Sequence, residues 1–235
     1  MGLQNVTIAL SVILPAYLEE ENLRILLPQI CNSLNSMEIS HEILVVDTMT
    51  PMDNTAAACQ ASAARYLNRL HGNTYGDAVR TGIQASNGNH LLFMDADGSH
   101  PPEWIPTLYA RKKDADVIVA SRYVAGGLME NTLILTLMSK VLNGVYRWVL
   151  GIPCADISNS FKLYLADQVK GLTLNAQNFD IIEELLFKLV RTYPGLTIIE
   201  VPFCFKRRLF GKTKRNLVLF ILTYLYTLLK LRFGR

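Results

Sequence analysis

Short apolar runs rich in valine and isoleucine recur along the chain and alternate with longer amphipathic segments. Apolar runs of this length are typical of strands buried on both faces of a sheet. The runs are Thr7–Leu14, Ile43–Val46, Leu91–Met94, Val117–Ala120 and Thr197–Phe203. Segments between them repeat apolar residues at intervals of three and four, as helices do: Glu20–Leu34, Asp77–Ala85 and Phe179–Val190. This alternation predicts an α/β fold with a mostly parallel central sheet.

The composition is that of one globular domain with a full core. Half of the 235 residues are apolar and 18% are charged, and a domain of this size buries about three quarters of its unfolded surface. The chain lacks the repeated apolar runs of about 20 residues that a polytopic membrane protein needs. We therefore expect a single domain over residues 1–215, followed by a separate helix over 216–235.

The cysteines indicate a reducing compartment. The four are far apart, without a C-x-x-C pair, and the sequence does not open on a secretory leader. We expect them to be buried small apolar residues in a cytoplasmic protein.

Polar residues follow the predicted strands, where ligands bind in open parallel sheets. Asp95 and Asp97 come directly after one strand, so both carboxylates can face one hard cation such as Mg²⁺ or Mn²⁺. A second D-x-D, Asp114 and Asp116, precedes a strand and is expected to be a solvated turn. For His100, beside the acidic pair, a hydrogen bond within the turn is favoured over a direct role.

Several common site types are absent from the sequence. Neither G-x-G-x-x-G nor G-x-x-x-x-G-K-[ST] occurs, so Rossmann and P-loop nucleotide sites are not indicated. No G-x-S-x-G is present, and the four histidines are scattered rather than clustered as zinc ligands. A nucleotide would have to be held by a metal and by side chains.

Five segments in order resemble one known family. They read SVILPAYLE from Ser11, VVD from Val45, MDADGSH from Met94, SRY from Ser121 and RLFGKTK from Arg208. Together they resemble the family 2 inverting glycosyltransferases, and within these the dolichyl or polyprenyl-phosphate mannose synthase group. The resemblance implies a GT-A fold, with a nucleotide-sugar half and an acceptor half in one domain.

The resemblance also assigns the donor site. It implies that the nucleotide sugar is bound by Pro15, Ala16, Tyr17, Glu19, Val45, Asp47, Asp95, Ala96, Asp97, Arg122, Arg208 and Lys214. Within this set Asp95 and Asp97 are the metal ligands and Arg122 faces the phosphates. The residues themselves support a clamp, because two cations six residues apart around Gly211 can close on an anion. A solvated basic turn is the alternative for this loop.

The acceptor side is less completely specified. A motif starting at Asp156 resembles the family's acceptor motif, which makes Asp156 a general base or an acceptor-orienting residue and includes Ser160. Glu183 and Glu184 correspond to a family helix at the same site, although paired glutamates on a helix are often simply solvated. The expected catalytic residues are Asp97, Asp156 and Arg122.

Three departures from the family pattern leave the acceptor open. Thr48 replaces a second aspartate, with Met52 inserted before Asp53, and Leu18 replaces an asparagine. The arginine expected for the acceptor phosphate is missing from ENTLILTLMSK after Gly127. Ser139 and Lys140 are the polar residues that remain at that position.

The C-terminal region indicates an anionic surface as a partner. Residues 202–235 carry nine basic residues and no acid, leaving a formal charge of −6 on the rest. The uncharged run Leu217–Leu229 would be about 20 Å long as a helix, too short for a bilayer core of about 30 Å. It is expected to lie on an anionic membrane surface or to pack on the domain, and Asn131–Leu150 has the same two interpretations.

These observations predict a Mg²⁺- or Mn²⁺-dependent inverting glycosyltransferase, peripheral on the cytoplasmic face of a membrane. It would move a sugar from a nucleoside diphosphate to a lipid-linked acceptor, most readily a polyprenyl phosphate. Transfer to a sugar hydroxyl on a lipid carrier, or a non-catalytic nucleotide-binding membrane module, are the alternatives. No nucleic-acid partner is expected, because aromatic residues do not interleave with the cations. The oligomeric state is left open.

Overall fold

The computed structural model describes residues 7–130, 133–211 and 217–233. The strands are β1 (Leu10–Pro15), β2 (His41–Asp47), β3 (Arg65–Asn68), β4 (His90–Phe93), β5 (Val117–Ser121), β6 (Leu128–Met129), β7 (Lys162–Leu165), β8 (Ile198–Pro202) and β9 (Cys204–Phe205). The helices are α1 (Glu20–Asn35), α2 (Thr55–Ala61), α3 (Tyr75–Ala85), α4 (Ile105–Ala110), α5 (Leu133–Leu150), α6 (Ala166–Lys170), α7 (Ile181–Thr192) and α8 (Leu217–Phe233).

Seven strands form the central sheet in the spatial order β3-β2-β1-β4-β7-β5-β8. Every neighbouring pair is parallel except those of β7, which runs antiparallel between β4 and β5. A separate parallel pair, β6 with β9, lies beyond the ends of β5 and β8. The predicted α/β class with a mostly parallel sheet is confirmed.

Helices cover both faces of the sheet, because successive strand residues point to opposite sides. On one face Ile13, Leu44 and Phe93 pack with α3, α7 and the buried side of α5 and α8. On the other face Val12 and Val45 pack with α1, α2 and α4. A ligand site is therefore expected at the ends of the strands.

The predicted elements agree with the structure to within a few residues. All five apolar runs contain strands, and the three amphipathic segments correspond to α1, α3 and α7. Strands β3, β6, β7 and β9 and helices α2, α4 and α6 were not predicted. All four cysteines are free thiols; Cys59 and Cys154 are buried, as expected, whereas Cys31 and Cys204 are half-buried.

The C-terminal helix both packs on the domain and presents an apolar surface. The Tyr146 hydroxyl of α5 donates to the Tyr224 carbonyl of α8 at 2.6 Å, and the Thr227 hydroxyl donates to the Asp180 carboxylate before α7. On its opposite side Tyr226 and Phe233 are 66% and 73% exposed. Among the described helices, none combines the length and apolarity needed to cross a membrane. The expected domain boundary, between residues 215 and 216, lies outside the described residues.

Candidate active site

The two carboxylates of the D-x-D motif lie at the carboxyl end of β4 and keep part of their surface open. Asp95 Oδ1 accepts from the Ser160 hydroxyl at 2.8 Å, and Asp97 Oδ1 accepts from the Ser99 amide at 3.0 Å. The other oxygen of each lies 3.9 Å from a nitrogen of His100 or Arg208, too far for a hydrogen bond. The Asp95 and Asp97 side chains are 26% and 23% exposed.

This donor set fits a hard divalent cation that keeps other ligands. Mg²⁺ is commonly bound through one or two carboxylates, with water and substrate phosphates completing its shell. Within the described residues no cluster of three or more His, Cys, Asp or Glu side chains forms a closed metal cage. Asp95 and Asp97 are thus suited to a site that is completed by a phosphorylated ligand.

His100 shapes the acidic turn from inside. Its Nδ1 accepts from the Asp95 amide at 2.9 Å, and its ring stacks on Phe161 with centroids 5.0 Å apart. Burial lowers the pKa of His100, which favours the neutral ring that this hydrogen bond requires. The hydrogen bond predicted for His100 within the turn is therefore present.

The basic segment after β9 lies directly over the acidic turn. The Leu209 amide donates to the Asp97 carbonyl at 2.9 Å, and the Arg208 guanidinium donates to Glu19 Oε1 at 2.9 Å. Asn22 holds the same loop by accepting from the Phe210 amide at 2.9 Å and by donating to Glu19. The structure thus brings Glu19 and Arg208 to the acidic turn, and Arg208 is docked rather than freely solvated. Lys214 lies outside the described residues.

Gly98 permits this close approach of the two segments. Its φ of +82° is a left-handed conformation that side chains disfavour, and a Cβ built there would lie 2.6 Å from Leu209 Cγ. A glycine between the second aspartate and the serine is therefore required by both backbone and packing.

The residues expected to meet the nucleotide surround the ends of β1 and β2. Pro15, Ala16 and Val45 are buried, whereas the Tyr17 side chain is 40% exposed. Ala96, inside the acidic turn, is also buried. Four of these five residues are therefore buried, and the Tyr17 ring is exposed.

Asp47 at the end of β2 is buried and oriented by a residue that sequence reasoning missed. The Tyr66 hydroxyl donates to Asp47 Oδ2 at 3.0 Å. Burial and the adjacent Asp47 charge raise the pKa of Tyr66 to about 12, so the hydroxyl stays a donor. Tyr66 lies in the polar edge strand β3, and its sequence carries no signal for this contact.

Arg122 and Asp156 form a buried ion pair beside the acidic turn. The Arg122 side chain donates to both Asp156 oxygens, at 2.8 and 2.6 Å, and its amide donates to Oδ2 at 2.9 Å. Asp156 has no exposed surface. Burial lowers the pKa of Arg122, but Asp156 outweighs that effect and the net pKa is raised. Asp156 is thus placed to orient Arg122, with both oxygens already engaged.

The residues expected on the acceptor side do not all come together. Ser160 contacts Asp95, and Ser139 on α5 accepts from the Tyr123 hydroxyl at 2.6 Å. Lys140 follows Ser139 and is exposed. Glu183, by contrast, is only 1% exposed and lies inside the core rather than on an open surface.

The paired glutamates on α7 are buried, so the alternative that they are simply solvated is wrong. Glu184 is 3% exposed, accepts from the Ala176 amide at 2.7 Å and pairs with Lys188 at 2.7 Å. Burial raises the pKa of Glu183 to about 8, and its own amide and Lys162 offset only part of that effect. Both glutamates belong to the interior of the domain.

The second D-x-D lies at the opposite edge of the sheet, as strand polarity predicts. Asp116 is not simply solvated, because its Oδ2 accepts from the Thr197 amide and hydroxyl at 2.8 and 2.7 Å. Asp114 forms an exposed ion pair with Arg111. This motif therefore ties the start of β5 to the start of β8, and the structure assigns it no place near Asp95.

Comparison with known proteins identifies the family of this chain. The family model "Glycosyl transferase family 2" matches residues 11–170, more than half of the chain. A dolichol-phosphate mannosyltransferase of Pyrococcus furiosus is 35% identical over 94% of this chain, which spans 63% of that relative's length. An undecaprenyl-phosphate mannosyltransferase of Micrococcus luteus is 31% identical, and the alignment covers 87% of this chain and 86% of that relative.

Solved structures show the fold. Glucosyl-3-phosphoglycerate synthase of Mycobacterium tuberculosis, crystallised with Mn²⁺, UDP and glucosyl-3-phosphoglycerate, aligns with a TM-score of 0.73 and 19% identity. The alignment covers 95% of this chain and 80% of that one. The same synthase has also been crystallised with Mg²⁺ and UDP, so a divalent cation accompanies the nucleotide in this structural neighbour. The fold is GT-A, and the chain belongs to glycosyl transferase family 2.

Proposed function

We propose that the protein transfers a hexose, with inversion, from a nucleoside diphosphate sugar to a polyprenyl phosphate at a membrane surface. The observation that carries this proposal is the partly open carboxylate pair Asp95 and Asp97, with Arg208 docked beside it. The names of the relatives, which are polyprenyl-phosphate mannosyltransferases, favour mannose as the sugar.

The donor's diphosphate is the group best suited to this edge of the sheet. Asp95 and Asp97 would hold a Mg²⁺ or Mn²⁺ ion, and Ser160 fixes the orientation of Asp95 through its hydroxyl. When bound, such a cation would supply Lewis-acid stabilisation of the departing diphosphate. Arg208 lies 3.9 Å from Asp97 and can add a second positive charge by exchanging its carboxylate contacts for phosphate oxygens. The base and ribose would lie over Tyr17 and Asp47.

The state of Asp156 supports a phosphate acceptor over a hydroxyl acceptor. A phosphate is already ionised at neutral pH and needs no general base, whereas a hydroxyl has to lose its proton during attack. Both Asp156 oxygens accept from Arg122, and the carboxylate has no exposed surface. We therefore assign Asp156 to positioning Arg122, and attack to a phosphate oxygen on the face opposite the departing diphosphate.

The exposed apolar surface of α5 and α8 supports a peripheral membrane location. Ile134 and Trp148 on α5 are 72% and 86% exposed, and Phe233 on α8 is 73% exposed. Two neighbouring helices with such surfaces favour an interfacial position over a location free in water. The cytoplasmic side is part of the proposal because the cysteines are free thiols.

A donor and acceptor panel tests the proposed function directly. Radiolabelled GDP-mannose, UDP-glucose and UDP-GlcNAc are each incubated with Mg²⁺ and either polyprenyl phosphate or the matching polyprenol. We expect one donor to label polyprenyl phosphate and the polyprenol to remain unlabelled. Asp97→Asn should abolish the labelling, whereas Asp116→Asn, at the other edge of the sheet, should preserve it.

Two results would count against the proposal. Labelling of polyprenol as fast as polyprenyl phosphate would show that a hydroxyl can serve as the acceptor, which would require a general base. No labelling with any donor, together with normal nucleotide binding, would favour the non-catalytic binding module.

A further inference from the structure

A small open pocket lies on α5, and its lining residues Tyr123 and Ala155 adjoin the Arg122–Asp156 pair in sequence. Its volume is about 180 Å³, and it is lined by Tyr123, Lys140, Asn143, Gly144, Arg147 and Ala155. The pocket is open over α5 because Gly144 has no side chain there. A Cβ at that position would meet no atom of the described residues within 4 Å.

The pocket is positively charged. Lys140 and Arg147 are seven residues apart, two helical turns, so they lie on the same side of α5. Helix α5 contains no acidic residue, and neither cation forms an ion pair with any carboxylate of the described chain. The Lys140 ammonium lies 5.9 Å from the centroid of the Tyr123 ring. Two exposed cations over one pocket are suited to binding an anion such as phosphate.

An exposed apolar stripe runs along α5 next to this pocket. Ile134, Leu137, Val141 and Trp148 are 72%, 63%, 59% and 86% exposed and follow one another at helical spacing. At 100° per residue the two cations lie roughly 100° around the helix from the centre of this stripe. They therefore stand between the exposed apolar side and the side that packs on the domain. Cations that border an apolar face are typical of helices lying at a membrane surface.

We propose that this pocket binds the headgroup phosphate of an anionic phospholipid while the apolar stripe of α5 enters the acyl region. The inference rests on the membrane location proposed above, but it does not depend on the transfer reaction. A phospholipid satisfies both observations with one molecule, because its phosphate meets the cations and its chains cover the neighbouring apolar residues. A soluble phosphate would leave the stripe exposed. The pocket would thereby fix how the domain is oriented on the membrane.

Vesicle binding by the full chain tests the cations. Co-sedimentation is measured with phosphatidylcholine vesicles containing phosphatidylglycerol and with pure phosphatidylcholine vesicles. Because one basic residue near an anionic surface contributes about 1 kcal/mol, each of Lys140→Gln and Arg147→Gln should weaken binding about fivefold. The double variant should weaken it about 25-fold. Lys113→Gln is the matched control, since Lys113 is an exposed cation just before β5, at the opposite edge of the sheet, and should change binding less than twofold.

Filling the pocket separates a specific site from diffuse charge. Gly144→Leu keeps both cations and enters open space, so the helix should form normally by circular dichroism. We expect it to weaken binding to phosphatidylglycerol vesicles at least fivefold although it adds apolar surface. Unchanged or tighter binding would refute the claim that the pocket binds the headgroup. Equal losses from Lys113→Gln and Lys140→Gln would refute the claim that the binding site lies on α5.

The lipid source is tested in the same assay. If vesicles with polyprenyl phosphate retain the protein while those with phosphatidylglycerol do not, the phospholipid assignment is wrong and the pocket belongs to the acceptor. If no vesicle retains the wild-type chain, the inference also fails. The transfer reaction can still be measured with a short soluble polyprenyl phosphate, so failure here is distinct from failure of the proposed function.

Discussion

The contact between Gly98 and Leu209 allows a direct test of whether the basic segment must dock for donor binding. Gly98→Ala has two costs that the structure separates. A left-handed residue with a side chain costs roughly 1 to 2 kcal/mol, and the new Cβ would overlap Leu209, whose Cγ and Cδ1 lie 2.6 and 2.7 Å away. The backbone strain at residue 98 remains in any case, whereas the overlap is relieved if the segment carrying Arg208 moves away from the acidic turn. Overpacking of this kind costs roughly 1 to 3 kcal/mol.

A double-mutant cycle with Leu209→Ala distinguishes the two costs. Leu209 Cβ is 3.6 Å from the new Cβ, so truncating the side chain removes the overlap and leaves the backbone strain. Leu209 is 46% exposed, and its truncation alone should change little. We expect Gly98→Ala to weaken donor affinity about tenfold, equivalent to roughly 1.4 kcal/mol. The double variant should regain most of that affinity while its unfolding free energy stays lowered.

Two measurements complete the cycle. Calorimetry with the nucleotide sugar that supports transfer gives the affinities, and trypsin cleavage after residues 207 and 208 reports directly on docking. We expect faster cleavage in Gly98→Ala and near wild-type cleavage in the double variant. Additive losses of affinity, with no coupling between the two positions, would refute the idea that docking of this segment supports the donor site.

Three further predictions concern single charges. In calorimetry Asp97→Asn should abolish metal-dependent donor binding, because it removes a carboxylate ligand, whereas Asp116→Asn should leave that binding intact. Arg208→Ala should weaken donor binding ten- to hundred-fold, the effect of losing a charged hydrogen bond of roughly 1.5 to 3 kcal/mol. Glu183→Gln should raise the unfolding free energy at pH 9 by up to roughly 4 to 5 kcal/mol in urea titrations. The reason is that burial raises the pKa of Glu183 from 4.5 to about 8, so wild-type stability is full below pH 4.5 and falls as the pH rises to 8.

Each of these predictions has a control and a contradicting outcome. Equal loss of donor binding in the Asp97 and Asp116 variants would contradict the use of strand polarity. Arg207→Ala is matched to Arg208→Ala, because Arg207 is an exposed neighbour that contacts Glu130 instead of Glu19. Similar losses in both arginine variants would indicate general charge attraction. For Glu183→Gln, a stability difference that is the same at pH 5 and pH 9 would show that ionisation of this group is not the cause.

The sequence was most informative about elements whose pattern is local. The long amphipathic helices and the apolar strands follow from periodicity, because burial on one face or on both determines the residue pattern. Strand β7 escaped prediction because its four residues include Lys162, which is fully buried and donates to the backbone carbonyl of Ile157 at 2.9 Å. The strand is only four residues long, too short to show a clear period, and the partners that make burial of Lys162 possible arise only in the folded chain.

The parts of the site that depend on contacts between distant segments could not be predicted from the sequence. The position of Asp95 and Asp97 could be predicted, because a single sequence shows that they come directly after a strand. The Arg122–Asp156 pair joins residues 34 apart, and the Glu19–Arg208 pair joins residues 189 apart. Single-sequence patterns do not determine such pairings. Burial of Glu183 on α7 was missed for the same reason, because the elements that cover it come from other parts of the chain.

The direction of β7 explains why one segment contacts both the acidic turn and the buried arginine. Because β7 runs antiparallel between β4 and β5, the residues that precede it lie at the same edge as those that follow its neighbours. Ser160 thereby reaches Asp95 beyond β4, and Asp156 reaches Arg122 beyond β5. The same rule places Asp116, which precedes β5, at the other edge, where it accepts from Gln168 after β7 and from Thr197 before β8. Reversing one strand thus supplies a second wall for the site without any change in the parallel strands that carry the carboxylates.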